Sequence, residues 1–258
     1  MSETKFPYYV IDFNAAACFF EIRINDVPVE SMNIKGQLST ISPINHLILE
    51  SGKQVVDFII LPTLDNLTLN EKVEFSASID LYDVEGAFKL FEKNDLFEIS
   101  DPPTGLPFIK HKSDFLAKVP YKISSWQNST NLNDVEDLRK LVDKAYKRIE
   151  NLINAKQYNI ISELFKQREN NTCISMYLSE EEKSKRINGL IDDFQNGFVV
   201  VPTSPEDIMF IYGYGKLVSL KQKNGDSALH LKNDKTGEEM TLEIMFHLEK
   251  GKQELSII

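Results

Sequence analysis

The sequence predicts an α+β protein: an N-terminal antiparallel β-sandwich followed by a domain in which long helices precede an antiparallel, cone-like meander. Three observations predict it. Residues 8–84 are dense in β-branched and aromatic runs separated by turn residues. Residues 134–196 repeat their apolar positions at helical spacing, and beyond Gly197 the period returns to two. A chain of 258 residues can bury two separate cores. The polar stretch at residues 124–133 sets the boundary, giving a sandwich domain over residues 1–125 and an α+β domain over residues 126–258.

Residues 8–13 and 18–24 read as two strands; in the second, Phe20, Ile22 and Ile24 face one way and Glu21 and Arg23 the other. Asn25 and Asp26 supply hairpin chemistry, and Pro28, without an amide hydrogen, confines the next strand to a sheet edge. Residues 34–41 continue as a strand through Gly36. Two hydrophobic runs, 42–49 and 54–62, then read as neighbouring antiparallel strands at the centre of the domain. Residues 71–82 alternate, with Val73, Phe75, Ala77, Ile79 and Leu81 on one side. Residues 87–91 read as a helical turn, and 100–107, with Pro102, Pro103, Thr104, Gly105 and Pro107, as irregular chain. The pattern from 108 to 123 leaves a further strand open. On Asn25, Pro28, Val29, Pro43, Ile44, Asn45 and Gly52, this half resembles the β-sandwich modules found in carbohydrate-binding and other accessory domains.

In the second half, Asn133 and Asp134 suggest a helix N-cap, with Glu136 and Asp137 in the first turn at the positive end of the dipole. Leu138, Leu141, Val142, Ala145, Ile149, Leu152 and Ile153 mark an amphipathic helix, and residues 159–166 a second one beyond a bend near Lys156. Ser179 with Glu182 is a capping-box pattern opening a third helix, buried through Ile187, Leu190, Ile191 and Phe194 and stopped at Asn196 and Gly197. Strands are expected at 198–201, 208–212, 216–220, 228–231, 240–248 and 255–258, with turns at Gly225, Gly237 and Gly251. This order of elements over residues 134–258 resembles the nuclear-transport-factor-2-like (NTF2-like) superfamily, which implies helices packed on a curved sheet and a fold used by enzymes, ligand binders and noncatalytic modules.

The net charge of −10 argues against a nucleic-acid partner, whose phosphates need clustered Lys and Arg, and would steer a basic protein instead. No apolar run is long enough for a membrane span. Residues 1–7 lack the basic, apolar and small-residue segments of a secretory signal, so a cytoplasmic location is expected. Cys18 and Cys173 sit in apolar contexts and read as buried core thiols.

Chemistry has few places to reside. If the strands carrying His230 and His247 paired in register, the two imidazoles and Glu243 would gather as a general base or metal site requires. Solvated sheet positions are the stronger reading, because no local ligand spacing such as His-x-x-x-His occurs. Tyr212-Gly213-Tyr214-Gly215 suits either a β-bulge, the favoured reading, or a ligand-facing loop. The pocket candidates are therefore Tyr212, Tyr214, His230 and His247. No catalytic residue, metal ligand or cofactor is assigned. The expected function is noncatalytic protein binding, in its concrete form an immunity or inhibitor protein whose carboxylates meet a basic toxin or enzyme. The alternative is a small-molecule binder or enzyme using a pocket in the C-terminal domain.

Overall fold

The computed structural model describes residues 4–103 and 105–258; Thr104 and Met1 to Glu3, part of the leader reading, lie outside the described residues. The protein is α+β, with an antiparallel sheet first and helices followed by strands after it. It divides into two compact units, Met1–Ile123 with Ser175–Tyr177, and Ser124–Ile174 with Leu178–Ile258.

In the first unit β1 (Pro7–Ile24) is followed by β2 (Val27–Pro43), β3 (Gly52–Leu61), β4 (Glu74–Asp83), β5 (Lys89–Ser100) and β6 (Ile109–Ala117). The strand order is β5-β4-β1-β3-β6, with β2 on the remaining edge of β1. The two runs expected as separate strands are one strand, β1. Ala17 takes a left-handed φ of 52°, and the pairing with β2 shifts register between Ala16 and Cys18. That bulge moves the buried face from Tyr9, Ile11, Phe13 and Ala15 to Cys18, Phe20, Ile22 and Ile24. One side of β1 consequently feeds β4 along its first half and β3 along its second. The strands enclose one core, in which Phe58 of β3 meets Phe75 of β4 at 5.7 Å and Phe97 of β5 stacks on His111 of β6 at 4.3 Å. The hairpin expected at Asn25 and Asp26 is present, both residues at positive φ as a two-residue turn of primed type requires, and β2 carries Pro28 on an edge.

The expected strand pair at 42–49 and 54–62 is corrected. β2 ends at Pro43, Asn45–Leu47 form a 3-10 turn, and β3 pairs with β1 and β6. Ile44 and Ile48 are both fully buried on either side of that turn, and the Asn45 side chain between them, also fully buried, bonds to the backbone of Pro7 and Tyr9 instead of leaving a strand face. Residues 87–91 are also corrected: from Lys89 onward the chain is β5, laddered on β4, with no helical turn. The region left open supplies β6.

The second unit begins with α1 (Leu138–Asn154), α2 (Tyr158–Ser175) and α3 (Glu180–Gln195). The expected N-cap is displaced. Residues Leu132–Asp134 make a separate 3-10 turn capped by Asn131, and α1 starts after Asp137 at a φ of 54°. Lys156, also left-handed, makes the bend before α2, and α3 opens with the Ser179–Glu182 capping box. Of the stripe expected on α3, only Phe194 is fully buried. On α1, Leu138, Val142, Tyr146, Ile149 and Ile153 are buried.

Strands β7 (Val199–Val201), β8 (Ile208–Tyr212), β9 (Leu217–Lys221), β10 (His230–Lys232), β11 (Glu239–Thr241), β12 (Phe246–His247) and β13 (Ser256–Ile257) follow. They form two antiparallel sheets, β11-β10-β7 and β13-β12-β9-β8. The single strand expected at 240–248 is thus two, in different sheets. Between them Leu242 donates its N–H to Leu229 and accepts from the Ser227 hydroxyl, while Ile244 is buried. Both cysteines are buried, as expected, and desolvation pushes the Cys18 thiol up to about 11.

Candidate functional site

The four pocket candidates do not converge. Tyr212 ends β8, fully buried, its ring stacked on Phe210 at 6.0 Å. The following Gly213, Tyr214 and Gly215 are all left-handed, with φ of 57°, 55° and 87°, and turn the chain directly from β8 into β9. This is a hairpin turn, correcting the expected bulge; a Cβ on Gly215 would lie 2.5 Å from Asn131 Oδ1. Tyr214 is exposed on that turn. His230 lies in the three-stranded sheet beside Gln222, whereas His247 lies in the four-stranded one. Glu243, in the connection, pairs with Lys221 at 2.6 Å. Among the described residues no group of three or more His, Cys, Asp or Glu side chains is placed to hold a metal ion.

His247 is not on the solvated face expected for it; it is 2 % exposed. Leu132 N–H bonds to Gly215, Thr130 N–H to Leu248, and the Lys216 ammonium to the Ser129 carbonyl, so residues 129–132 lie along that part of the sheet. Ser129 Oγ is 2.7 Å from His247 Nδ1, while His247 Nε2 and Ser219 Oγ find no partner among the described residues. Burial lowers the imidazole's pKa against an opposing pull from Glu249. The folded protein therefore resists the proton that the unfolded chain accepts near pH 6.5. Stability from this group is whole above that pH and falls as pH drops toward the depressed value. A His247→Gln variant is expected to reduce the stability difference between pH 7.5 and pH 5.5 in urea titrations, by up to about 1.4 kcal/mol.

A more open site occupies the first unit. Because β5 and β6 end the strand order, each has an edge without a ladder partner. The edges meet where Phe97 stacks on His111. Toward the other end a cleft of 460 Å³ opens, lined by Tyr9, Leu81, Phe91, Leu116, Val119 and Pro120 among others. The Tyr9 hydroxyl forms its floor, accepting from the Lys118 N–H at 2.8 Å and donating to the Lys118 carbonyl at 3.3 Å. Two register shifts leave Phe91 and Leu96 without ladder partners on β4, which turns this edge away from simple sheet extension. Phe91 is 47 % exposed and Leu116 68 %, and Phe88 and Leu90 are exposed beside them. Glu92 and Lys118 also line the cleft.

On the outer side of the same strands lies a polar hollow of 390 Å³ lined by Asp12, Asn14, Ser76, Ser78, Asp95 and Glu98, among others. The Lys93 ammonium reaches Asp12 at 3.2 Å there. The sequence reading missed the cleft because it took residues 87–91 for a helical turn. The available signal was Leu90 beside Phe91, adjacent apolar residues that a half-buried strand would not carry. No family model, no curated protein and no solved structure matches the chain.

Proposed function

We propose that this is a noncatalytic protein-binding protein whose first unit receives an apolar side chain of its partner in the cleft between β5 and β6. The observation that carries the reading is the pair Phe91 and Leu116, large apolar residues left exposed on facing edges of a cleft with an apolar lining. Contiguous apolar surface bordered by charge is what partner sites present, and aromatic anchors near their centre carry most of the binding energy. The Glu92 carboxylate in the cleft lining, with the chain's negative balance, favours a partner of basic surface. An inhibitor or immunity protein that covers a toxin or enzyme fits this description. The order of elements in the second unit supports keeping the NTF2-like resemblance in the proposal, as a noncatalytic module.

The test is affinity capture from native lysate with the wild-type protein and with a Phe91→Asp, Leu116→Asp double variant, matched by circular dichroism. A partner held by the wild type and released by rising salt should bind the variant at least about tenfold more weakly. Equal retention by both proteins would refute the site, and no retained protein at any salt would refute the reading.

A further inference from the structure

We propose that the second unit binds a small monocarboxylic acid with a short branched apolar end, at a pit between α1, α2 and the C-terminal strand. This rests on a different unit from the protein-binding reading and is independent of it. Leu141, Ala145 and Ile149 lie on one face of α1 and, with Leu164, Phe246 and Leu255, line an apolar pit of 40 Å³. The pit opens into a groove of 440 Å³, since Arg148, Leu164, Gln253, Glu254, Leu255 and Ile257 line both. The pit has room for about three water-sized groups, which suits an isopropyl end and excludes a long chain.

The rim shows how a carboxylate would be held. Lys144 and Arg148, also on α1, both reach the Glu254 side chain, with Lys144 Nζ 2.9 Å from Oε1 and Arg148 Nη1 3.7 Å from Oε2. The chain's own carboxylate therefore already occupies a two-cation seat at the mouth of an apolar pit. All three side chains are about half exposed or more, so the ion pairs contribute little to stability, and a ligand carboxylate can take Glu254's place at small cost. Binding would then come from the apolar end entering the pit, with the cations fixing its direction. The other charges of the groove are partly engaged: Glu163 with Lys166 at 2.9 Å, and Glu249 with the Ser256 hydroxyl at 3.4 Å, leaving Lys252 as a further cation on the groove wall.

Isovalerate is the probe, titrated into the full chain and followed by amide chemical shifts, with isovaleramide as the uncharged control. Shifts confined to Ala145, Arg148, Glu254 and Leu255, seen with the acid and absent with the amide, are expected, with affinity near millimolar. Glu254→Gln removes the internal competitor and should tighten the acid about threefold or more. Lys144→Ala with Arg148→Ala should abolish the response. The absence of any response in both the wild type and Glu254→Gln would overturn the proposal, as would equal binding of acid and amide. A leucine-ending tripeptide that binds more tightly than isovalerate would overturn the assignment to a small acid.

Discussion

Asn45→Ala is expected to destabilise the first unit by about 3–5 kcal/mol, although Asn45 lies in neither candidate site. The residue is 0 % exposed. Its Oδ1 accepts the Tyr9 N–H at 2.6 Å and its Nδ2 donates to the Pro7 and Ser175 carbonyls, each at 3.0 Å, while its own carbonyl accepts from the Tyr121 hydroxyl at 3.1 Å. Next to it, Ile44 N–H bonds to the Tyr9 carbonyl. The side chain thus completes the pairing of β1 where β2 stops and the 3-10 turn begins. Alanine would strand a buried donor, the Tyr9 N–H, and two acceptors, the Pro7 and Ser175 carbonyls, each costing about 1–3 kcal/mol, and would leave a void beside Ile44 and Ile48. Asn45→Asp keeps the acceptor for Tyr9, loses both donor bonds and turns a carboxylate oxygen toward the Pro7 and Ser175 carbonyls. Urea denaturation followed by far-UV circular dichroism should place the midpoints of both variants below wild type, with that of aspartate recovering as acid protonates its unpaired buried carboxylate. The Tyr9 amide should lose its exchange protection only in alanine. An unfolding free energy for Asn45→Ala within about 1 kcal/mol of wild type would show that water replaces all three side-chain hydrogen bonds.

Where the sequence was readable, a local rule and the tertiary environment agreed. Asn25 and Asp26 turn the chain because two residues at positive φ need such side chains, and Ser179 with Glu182 caps α3 because both halves of the box lie in the sequence. Where it was not, a non-local partner decided. Residues 42–49 have strand composition, yet the backbone groups that the Asn45 side chain satisfies belong to Pro7, Tyr9 and Ser175, far away in sequence. The phase change at Ala17 is likewise invisible to an alternation count, which reads two strands where a bulge joins one. Tyr146 interrupts the aliphatic stripe expected on α1, but it is fully buried because its hydroxyl accepts the Leu220 N–H at 2.9 Å. The candidate sites were the least legible of all. The cleft depends on which strands end a sheet, and the pit depends on a C-terminal segment returning to α1. Neither leaves a spaced motif.

Glu169→Gln should cost about 2–4 kcal/mol at neutral pH, with most of the loss disappearing in acid. Glu169 is 3 % exposed on α2, between two guanidiniums. Arg168 places Nε and Nη2 3.0 and 2.9 Å from Oε1, and Arg186 of α3 places Nε 2.8 Å from Oε2. Arg168 is held in turn by the Phe165 ring face at 4.6 Å and by the Glu243 carbonyl at 3.2 Å. Burial alone would raise the carboxyl's pKa, but the charge and hydrogen bonds of Arg168 and Arg186 outweigh it and hold it below the usual range. The sign follows from that depression. The folded protein keeps the group ionised at pH values where the unfolded chain takes up a proton. The stabilisation is therefore full above about pH 4.5 and drains away as pH falls through the depressed folded value. Glutamine retains the shape and loses the charge, leaving Arg168 without its counter-ion inside the unit, whereas Arg186→Ala removes a partner that is about half exposed and should cost less. Stability measured at pH 7 and at pH 3 should show the gap between wild type and Glu169→Gln closing on acidification. A gap of equal size at both pH values would mean that the residue acts through packing and hydrogen-bond shape, and that the negative charge between α2 and α3 contributes nothing.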